Sequence, residues 1–219
     1  MKIRFVLTLL CLLMLTSCAG QDPNKKYMVS SLGFSLVSSD VKITLQVSSA
    51  DSQNEKLLLF GKGETVSAAF DNAAASFSKS PSFGHCEAVV LSDELDAKRV
   101  NDVIDLLDTL GISLQSRIVC CDSASNLLGA DLSGEEIVAL IKQSNQKFGF
   151  GGNTALFEIK TALIAGGGDF ALPYISLSQG QPTVEGLLCY SSSTPVGRLG
   201  REESRQYAKN KGLSKGELV

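Results

Sequence analysis

The chain has 219 residues, of which 44% are hydrophobic, and it carries a formal net charge of −3. A mildly acidic chain without a basic stripe lacks the electrostatic footprint of a nucleic-acid-binding protein. Its length and composition allow one compact domain, or two small ones, with a proper hydrophobic core.

The first 17 residues are typical of an export signal. Lys2 and Arg4 precede an apolar run over 5–15, which is shorter than the roughly 20 residues that a bilayer-spanning helix needs. The run closes on Leu-Thr-Ser-Cys at 15–18, which resembles the lipobox of bacterial lipoproteins. We therefore predict that Cys18 is the lipid-attachment site and that its acyl chains hold the protein on a membrane. An ordinary signal peptide with a chance cysteine, or a buried first helix, is the other explanation.

Beyond the signal peptide (1–17), the chain has 18 basic and 23 acidic residues, which gives a formal charge of −5. Residues 18–27 are predicted to form a lipidated, polar tether, and residues 28–219 the folded domain. The domain opens with three strand patterns, at 28–37, 41–47 and 56–61. The short connection between the first two predicts an antiparallel meander.

A helix follows, with Thr65 as its predicted N-cap. Its apolar face consists of Val66, Ala69, Phe70, Ala73 and Phe77. After it, a strand at 87–91, a helix that stops at Gly111 and a strand at 112–119 have the spacing of a βαβ crossover.

The last third of the domain also contains both helix and strand patterns. Residues 133–136 are predicted to form a capping box at the start of a helix, and Asn153 is the predicted N-cap of the helix after it. Strands at 174–177, which Pro173 precedes, and at 183–190 are predicted to pair as a hairpin, before a last helix at 201–210. The pattern as a whole predicts an α+β fold with a mixed β-sheet.

Four cysteines lie beyond the lipid site, namely Cys86, Cys120, Cys121 and Cys189. Exported domains can form disulfides, but these four show no small-scaffold framework. We favour buried free thiols over a disulfide. Cys120 and Cys121 are predicted to end a strand, with side chains on opposite faces of the sheet.

Signals of catalysis are sparse. The one histidine, His85, cannot form a multi-histidine metal site and lies in a predicted turn. Glycine clusters at 61–65, 149–152 and 166–168 match no phosphate-binding motif, although the first two precede helices whose N-termini could receive an anion. Flexible connection is the simpler explanation.

Two carboxylate pairs complete this inventory. Asp93-Glu94 and Glu135-Glu136 are predicted to lie in first helical turns, where the helix dipole favours them. That position explains them without acid–base chemistry. We therefore expect no enzyme, no catalytic residue, no metal and no cofactor.

A series of short motifs resembles, in order, the spore germination lipoprotein family Ger(x)C, the C subunit of nutrient germinant receptors. They are Gly-Lys-Gly-Glu-Thr at 61–65, Phe-Gly-His at 83–85, Asp-Glu-Leu at 93–95, Leu-Pro at 172–173, Gly-Leu-Leu at 186–188, Val-Gly-Arg-Leu at 196–199 and Glu-Glu-Ser-Arg at 202–205. Each is weak alone, but their shared order behind a lipobox is fairly specific. The likeness covers nearly the whole mature chain, and it corresponds to the amino-terminal part of the family without the family's C-terminal domain.

The resemblance implies a non-enzymatic subunit on the outer face of the bacterial cell membrane or the spore inner membrane. Its implied partners are the integral membrane subunits of a germinant receptor, and its implied process is spore germination. A solute-binding lipoprotein of a transporter is the main rival, although such proteins normally have two lobes around a cleft. An envelope hydrolase is a second rival, which would need a nucleophile or metal site.

Overall fold

The computed structural model describes residues 26–49, 52–130, 132–152, 154–165 and 168–211. The predicted signal peptide, the lipid site at Cys18 and the predicted helix cap at Asn153 lie outside these residues. The helix expected after Asn153 begins at Leu156, where Glu158 accepts hydrogen bonds from the backbone N–H groups of Thr154 and Ala155.

Within these ranges the chain forms nine strands and six helices. The strands are β1 (Lys26–Val37), β2 (Asp40–Ser49), β3 (Ser52–Gly63), β4 (Ser80–Ser82), β5 (Ala88–Ser92), β6 (Arg117–Cys121), β7 (Phe170–Ser178), β8 (Gln181–Ser191) and β9 (Thr194–Leu199). The helices are α1 (Val66–Ala74), α2 (Ala97–Thr109), α3 (Ala124–Gly129), α4 (Gly134–Phe148), α5 (Leu156–Ile164) and α6 (Arg201–Asn210).

All nine strands belong to one sheet, in the order β3-β2-β1-β5-β6-β7-β8-β9, with the short β4 beside β1. The centre of the sheet is parallel, from β1 through β5 and β6 to β7. Both flanks are antiparallel, as β1–β2–β3 on one side and β7–β8–β9 on the other. The α+β fold with a mixed sheet, including the meander and the hairpin, is therefore confirmed.

Two hydrophobic clusters lie on opposite faces of the sheet, because successive side chains of a strand point to opposite sides. In β5, Val89 belongs to one cluster and Val90 to the other. The larger cluster receives buried residues from α1, α2 and α5, and the smaller one from α3 and α4. Helices thus cover both faces, and β5, at the centre of the sheet, is buried throughout.

The predicted βαβ unit is present as β5–α2–β6. Val100, Val103, Ile104 and Leu107 form the buried face of α2. Gly111 follows the helix with φ of +64°, the left-handed conformation expected after a helix end. The second strand is shorter than predicted, because residues 113–116 form a turn closed by a hydrogen bond from Ser116 N–H to the Ser113 carbonyl.

Three elements were not predicted from the sequence: β4, α3 and β9. The polar, glycine-containing stretch of β9 has no apolar alternation, and its side chains are mostly exposed. The last helix, α6, occupies the predicted residues 201–210. The β7–β8 hairpin closes through Gln179 and Gly180, both with positive φ, which is typical of a two-residue turn that matches the strand twist.

Candidate functional site

The first glycine cluster serves helix packing. A Cβ atom on Gly61 would lie 2.0 Å from the carbonyl oxygen of Ala69 and 2.4 Å from the backbone nitrogen of Ala73. Only a glycine lets α1 lie this close to the end of β3. The predicted cap at Thr65 is confirmed, since its side chain accepts from Ala68 N–H at 3.1 Å. The cluster is therefore a rigid contact rather than a flexible connection.

The glycines of the second cluster also have structural roles, at a helix end and at a close backbone contact. Gly149 ends α4 in the left-handed conformation, with φ of +65°. A Cβ on Gly152 would lie 3.0 Å from the carbonyl oxygen of Ala171, so the backbone passes close to β7. The third cluster lies partly outside the described residues. Its last member, Gly168, has φ of +62° and packs against Ser192.

His85 lies in the turn that precedes β5, as predicted, and lines a cleft of about 340 Å³. The cleft lies at the amino ends of β5 and β6. Its walls are Gly84, His85, Cys86, Glu87, Ser113, Gln115, Ser116, Arg117 and Val138.

One cation and one carboxylate line this cleft. The half-buried Arg117 donates one hydrogen bond, from Nη1 to the Thr154 hydroxyl at 2.8 Å. The side chain of Glu87 is exposed. Among the residues that the structure describes, neither Arg117 nor Glu87 has an ion pair.

A second polar group lies at the carboxyl ends of the same two strands. Arg198 of β9 forms ion pairs with Asp93, which follows β5, and with Asp122, which follows β6, the latter at 2.8 Å. The guanidinium lies 3.9 Å from the ring centre of Tyr174. The Tyr174 hydroxyl donates to Asp122 at 2.5 Å. We call these four residues the Arg198 cluster.

The Arg198 cluster favours ionised carboxylates. The hydrogen bond from Tyr174, followed by those from Arg198, lowers the pKa of Asp122. Burial and the hydrogen bond to Asp122 raise the pKa of Tyr174. Because the charges are mutually satisfied, this arrangement is suited to joining strands rather than to proton transfer. A hollow of about 180 Å³ adjoins it at Asp122 and Ser123.

The predicted position of Asp93-Glu94 in a first helical turn was wrong. Helix α2 begins at Ala97, and its N-cap is Asp96, whose side chain accepts from Arg99 N–H. Asp93 instead pairs with Arg198. The other predicted pair, Glu135-Glu136, does lie in the first turn of α4, inside the predicted capping box.

The cysteines are free thiols, as predicted, and three of the four are buried. Cys120 and Cys121 end β6 and belong to opposite clusters. Burial raises the pKa of Cys86 and of Cys120 to about 12. Cys189 is only half-buried.

Sequence reasoning missed the Arg198 cluster and the cleft that Glu87 and Arg117 both line. Each of these two sites combines residues from separate parts of the chain, so no local sequence pattern predicts it. The sequence position of the two aspartates could have indicated the Arg198 cluster, since Asp93 and Asp122 each come directly after a buried strand. Carboxyl ends of adjacent parallel strands meet at one edge of a sheet.

The described residues hold neither a candidate metal site nor a candidate membrane-spanning helix. No group of three or more His, Cys, Asp or Glu residues there could hold a metal ion. No described helix is both long and apolar enough to span a bilayer.

Comparison with known proteins identifies the family. Neither the curated proteins nor the solved structures gave a match. A family model described as the spore germination protein N-terminal domain matches residues 20–177, well over half of the chain. The match spans β1 to β7 and confirms the resemblance deduced from the sequence motifs. The chain therefore belongs to the spore germination protein N-terminal domain family, and its role is in germination.

Proposed function

We propose that this protein is a membrane-anchored lipoprotein subunit of a spore nutrient germinant receptor, which acts by protein–protein contact rather than by catalysis. One observation carries the proposal: the match to the germination domain begins at residue 20, directly behind the lipobox-like ending at Cys18. An exported, lipidated germination domain would be held at the membrane where receptor subunits are embedded.

A lipid anchor would make weak partner contacts sufficient. A tethered domain meets a membrane-embedded partner at a high effective concentration, so a modest interface can still be occupied. The short segment between Cys18 and the start of β1 at Lys26 would keep the domain close to the bilayer.

The chemistry of the described residues supports a non-catalytic role. The pKa of Cys120 is raised to about 12 by burial, so this thiol is protonated at neutral pH. The Arg198 cluster pairs its own charges. His85 is the single histidine of the sequence, and histidine is the side chain that most often acts as a general acid or base.

The sheet also argues against the rival function of a solute-binding lipoprotein. Such proteins normally place their ligand between two lobes that close on a hinge. Here the strands from β3 to β9 form a single continuous sheet, with helices on both faces. This architecture supports a rigid docking module.

The outer side of α5 is the surface that we assign to the membrane-embedded partner. Phe157 and Ile164 lie two turns apart on the same side of α5 and are 43% and 82% exposed. Leu114, 51% exposed, lies beside Phe157, because Phe157 N–H donates to the Leu114 carbonyl. Exposed apolar groups that cluster in this way are typical of interaction sites.

The anchor is tested by lipid labelling in cells. Replacing Cys18 by Ala should abolish incorporation of labelled fatty acid and leave uncleaved precursor, because lipoprotein peptidase acts on the lipidated cysteine. Replacing Cys86 by Ala is the control and should leave labelling intact. Equal labelling of the Cys18 variant and the wild type would refute the anchor.

The contact surface is tested by co-purification from spore membranes. Phe157→Ser and Ile164→Ser should reduce recovery of multi-span membrane partners with the tagged protein. Val196→Ser is the matched control, since Val196 is 62% exposed on β9, away from α5. If the wild type recovers no multi-span partner, the receptor assignment fails. If all three variants behave alike, the contact lies elsewhere on the domain.

A further inference from the structure

The two edges of the sheet are protected to different degrees. At one edge, β9 has only six residues, contains Pro195, and has a register shift in its pairing with β8. The turn before β9 is also held against α2, because the Ser193 hydroxyl lies 2.7 Å from Oδ1 of Asn101. Short strands, prolines and bulges keep a sheet edge from pairing with another chain. The β9 edge is therefore poorly suited to accept a further strand.

The other edge, β3, is long and apolar. It has 12 residues and no proline, its register against β2 is regular from Lys56 to Gly63, and no described strand pairs with its outer side. Its middle is the apolar run Leu-Leu-Leu-Phe at 57–60. Leu57 and Phe60 are 46% and 47% exposed and lie on opposite faces of the sheet. Such an edge is a template for pairing with another strand.

A hydrogen bond near the end of β3 indicates which backbone groups face the open side. The Lys62 carbonyl accepts from Nδ2 of Asn72 at 2.8 Å, so it is bound to α1 rather than to β2. Backbone groups of a strand alternate between its two sides, so Lys56, Leu58 and Phe60 present theirs to the same side as Lys62. Because Asn72 already occupies the edge at Lys62, the apolar run is the part that a further strand can reach.

We propose that β3 pairs antiparallel with β3 of a second copy of this chain, so that the two sheets continue into one. The two-fold axis passes between the Leu58 residues of the two copies. In this register, Leu57 lies opposite Leu59 of the second copy, and Lys56 lies opposite its Phe60. Each of these contacts occurs twice, because a two-fold interface is self-complementary.

The pair of Lys56 and Phe60 favours this register. Residues directly opposite each other in an antiparallel pair lie on the same face, so the Lys56 ammonium group can lie over the ring of Phe60 of the second copy. The same ring already receives a cation from its own chain, since Nζ of Lys42 in β2 lies 4.6 Å from the ring centre. The new pair would repeat that contact from the open side of β3.

Neighbouring registers are less favourable. A register centred on Leu59 would place Lys56 opposite Lys62, whose like charges repel and whose carbonyl is already bound. A register centred on Leu57 would leave Phe60 opposite the polar Asn54. The exposed run of β3 is thus complementary to itself in the register centred on Leu58, which is why we assign the edge to a second copy rather than to an unrelated strand.

The pairing is compatible with two copies on one membrane. A two-fold axis that relates copies on the same bilayer stands normal to the bilayer, and this axis is normal to the sheet. The joined sheet would therefore lie parallel to the membrane surface. The inference does not depend on the partner surface on α5, and a lipid anchor would add only a higher local concentration.

The test is the molar mass of the mature protein in detergent micelles, measured by light scattering over a series of protein concentrations. We expect a monomer–dimer equilibrium. Phe60→Lys should weaken dimerisation by about tenfold or more, because each new lysine would lie opposite Lys56 of the other copy. Phe60→Glu should dimerise more tightly than Phe60→Lys, because its carboxylate would face that lysine. Val196→Lys, at an exposed position of β9, is the matched control and should behave as the wild type does.

Oxidative cross-linking locates the contact. In a Cys189→Ser background, Leu58→Cys should form a covalent dimer, because the two cysteines would face each other across the axis. Ile164→Cys, at a position 82% exposed on α5, is the control and should remain monomeric under the same oxidation. This experiment carries the decision if Phe60→Lys lowers the melting temperature.

Four results would overturn the proposal. The first is a monomeric mass at every protein concentration, and the second is a dimer that Phe60→Lys weakens no more than Val196→Lys does. The third is equal weakening by Phe60→Lys and Phe60→Glu, which would reject the register. The fourth is that Leu58→Cys cross-links in membranes to a multi-span protein instead of to itself, which would assign the edge to a receptor subunit. None of these results concerns lipid labelling or the α5 variants, so failure here is distinguishable from failure of the receptor assignment.

Discussion

Arg198 of β9 donates a hydrogen bond of 2.8 Å to Asp122, which lies 76 positions earlier, directly after β6. The family match ends at residue 177, within β7. The contact therefore joins the part of the chain beyond the match to the parallel centre of the sheet. Strands β8 and β9 extend the same sheet, so the folded unit reaches past the residues that define the family.

The Arg198 cluster should contribute measurably to stability. We expect Arg198→Leu to lower the free energy of unfolding by about 1–2 kcal/mol, because it removes two charge-assisted hydrogen bonds and the contact with the Tyr174 ring from a partly exposed site. Urea unfolding followed by circular dichroism measures this difference. Arg201→Leu, in which an exposed arginine near Phe148 is replaced, is the control and should cost less.

The same cluster should show a pH dependence of known sign. The pKa of Asp122 lies below its ordinary value in the folded protein, so folding favours the ionised form. Its contribution is therefore complete above the ordinary carboxyl pKa of about 3.9 and is lost as the pH falls through the lower folded value. The stability gap between wild type and Asp122→Asn should stay constant from about pH 7 to about pH 4 and shrink as the pH falls further. A gap that does not shrink would contradict the assignment.

The buried face of α2 gives a second test. Leu107 is fully buried in the larger cluster, and Leu107→Ala should cost about 2–5 kcal/mol, the usual range for truncating a buried leucine. Asp105, two residues earlier on the same helix, is exposed, so Asp105→Ala should cost little. Thermal melts of the two variants compare them directly, and similar melting temperatures would mean that the helix is packed differently.

How much of the fold follows from the sequence depends on the range of the interaction. The apolar face of α2, the capping box at Ser133 and the αL glycine at Gly111 are local features, and each was predicted. Strand β9 was missed because its register is set by pairing with β8 rather than by its own alternation. Propensity is a weak guide for such edge strands.

The candidate sites were less predictable than the fold. His85 was assigned correctly to a turn, but its cleft is formed by residues near 87, 115 and 138, which only the tertiary structure brings together. Asp93 and Glu94 were misplaced because the helix begins only at Ala97, after Asp96, whose side chain caps it by accepting from Arg99 N–H. A helix that starts a few residues earlier would show the same apolar face, so the sequence pattern did not fix its first residue.

The close contact between β3 and α1 provides a third test. Gly61→Ala would place a Cβ 2.0 Å from the Ala69 carbonyl oxygen, a backbone atom that cannot rotate away. We expect a loss of about 3 kcal/mol or more, because the helix must move off the strand. Gly84→Ala is the matched control, since a Cβ there meets no atom within 4 Å. Denaturant unfolding should show a large loss for the first substitution and almost none for the second.

The four thiols of the domain should differ sharply in reactivity. A form of the protein that begins at residue 19 contains only Cys86, Cys120, Cys121 and Cys189. The first three are buried, and burial raises the pKa of both Cys86 and Cys120 to about 12. Reaction requires an accessible thiolate, so these three should react only when the domain opens.

Cys189 should be the first to react, because it is only half-buried, even though burial also raises its pKa. At about pH 8, a colorimetric disulfide reagent should modify one thiol per native molecule before the others. Cys189→Ser should remove that early phase, and all remaining thiols should react together once denaturant unfolds the domain. An early phase that persists in Cys189→Ser would mean that one of the buried thiols is reached in the native state. Its identity, read by mass spectrometry, would then locate the part of the sheet that opens most easily.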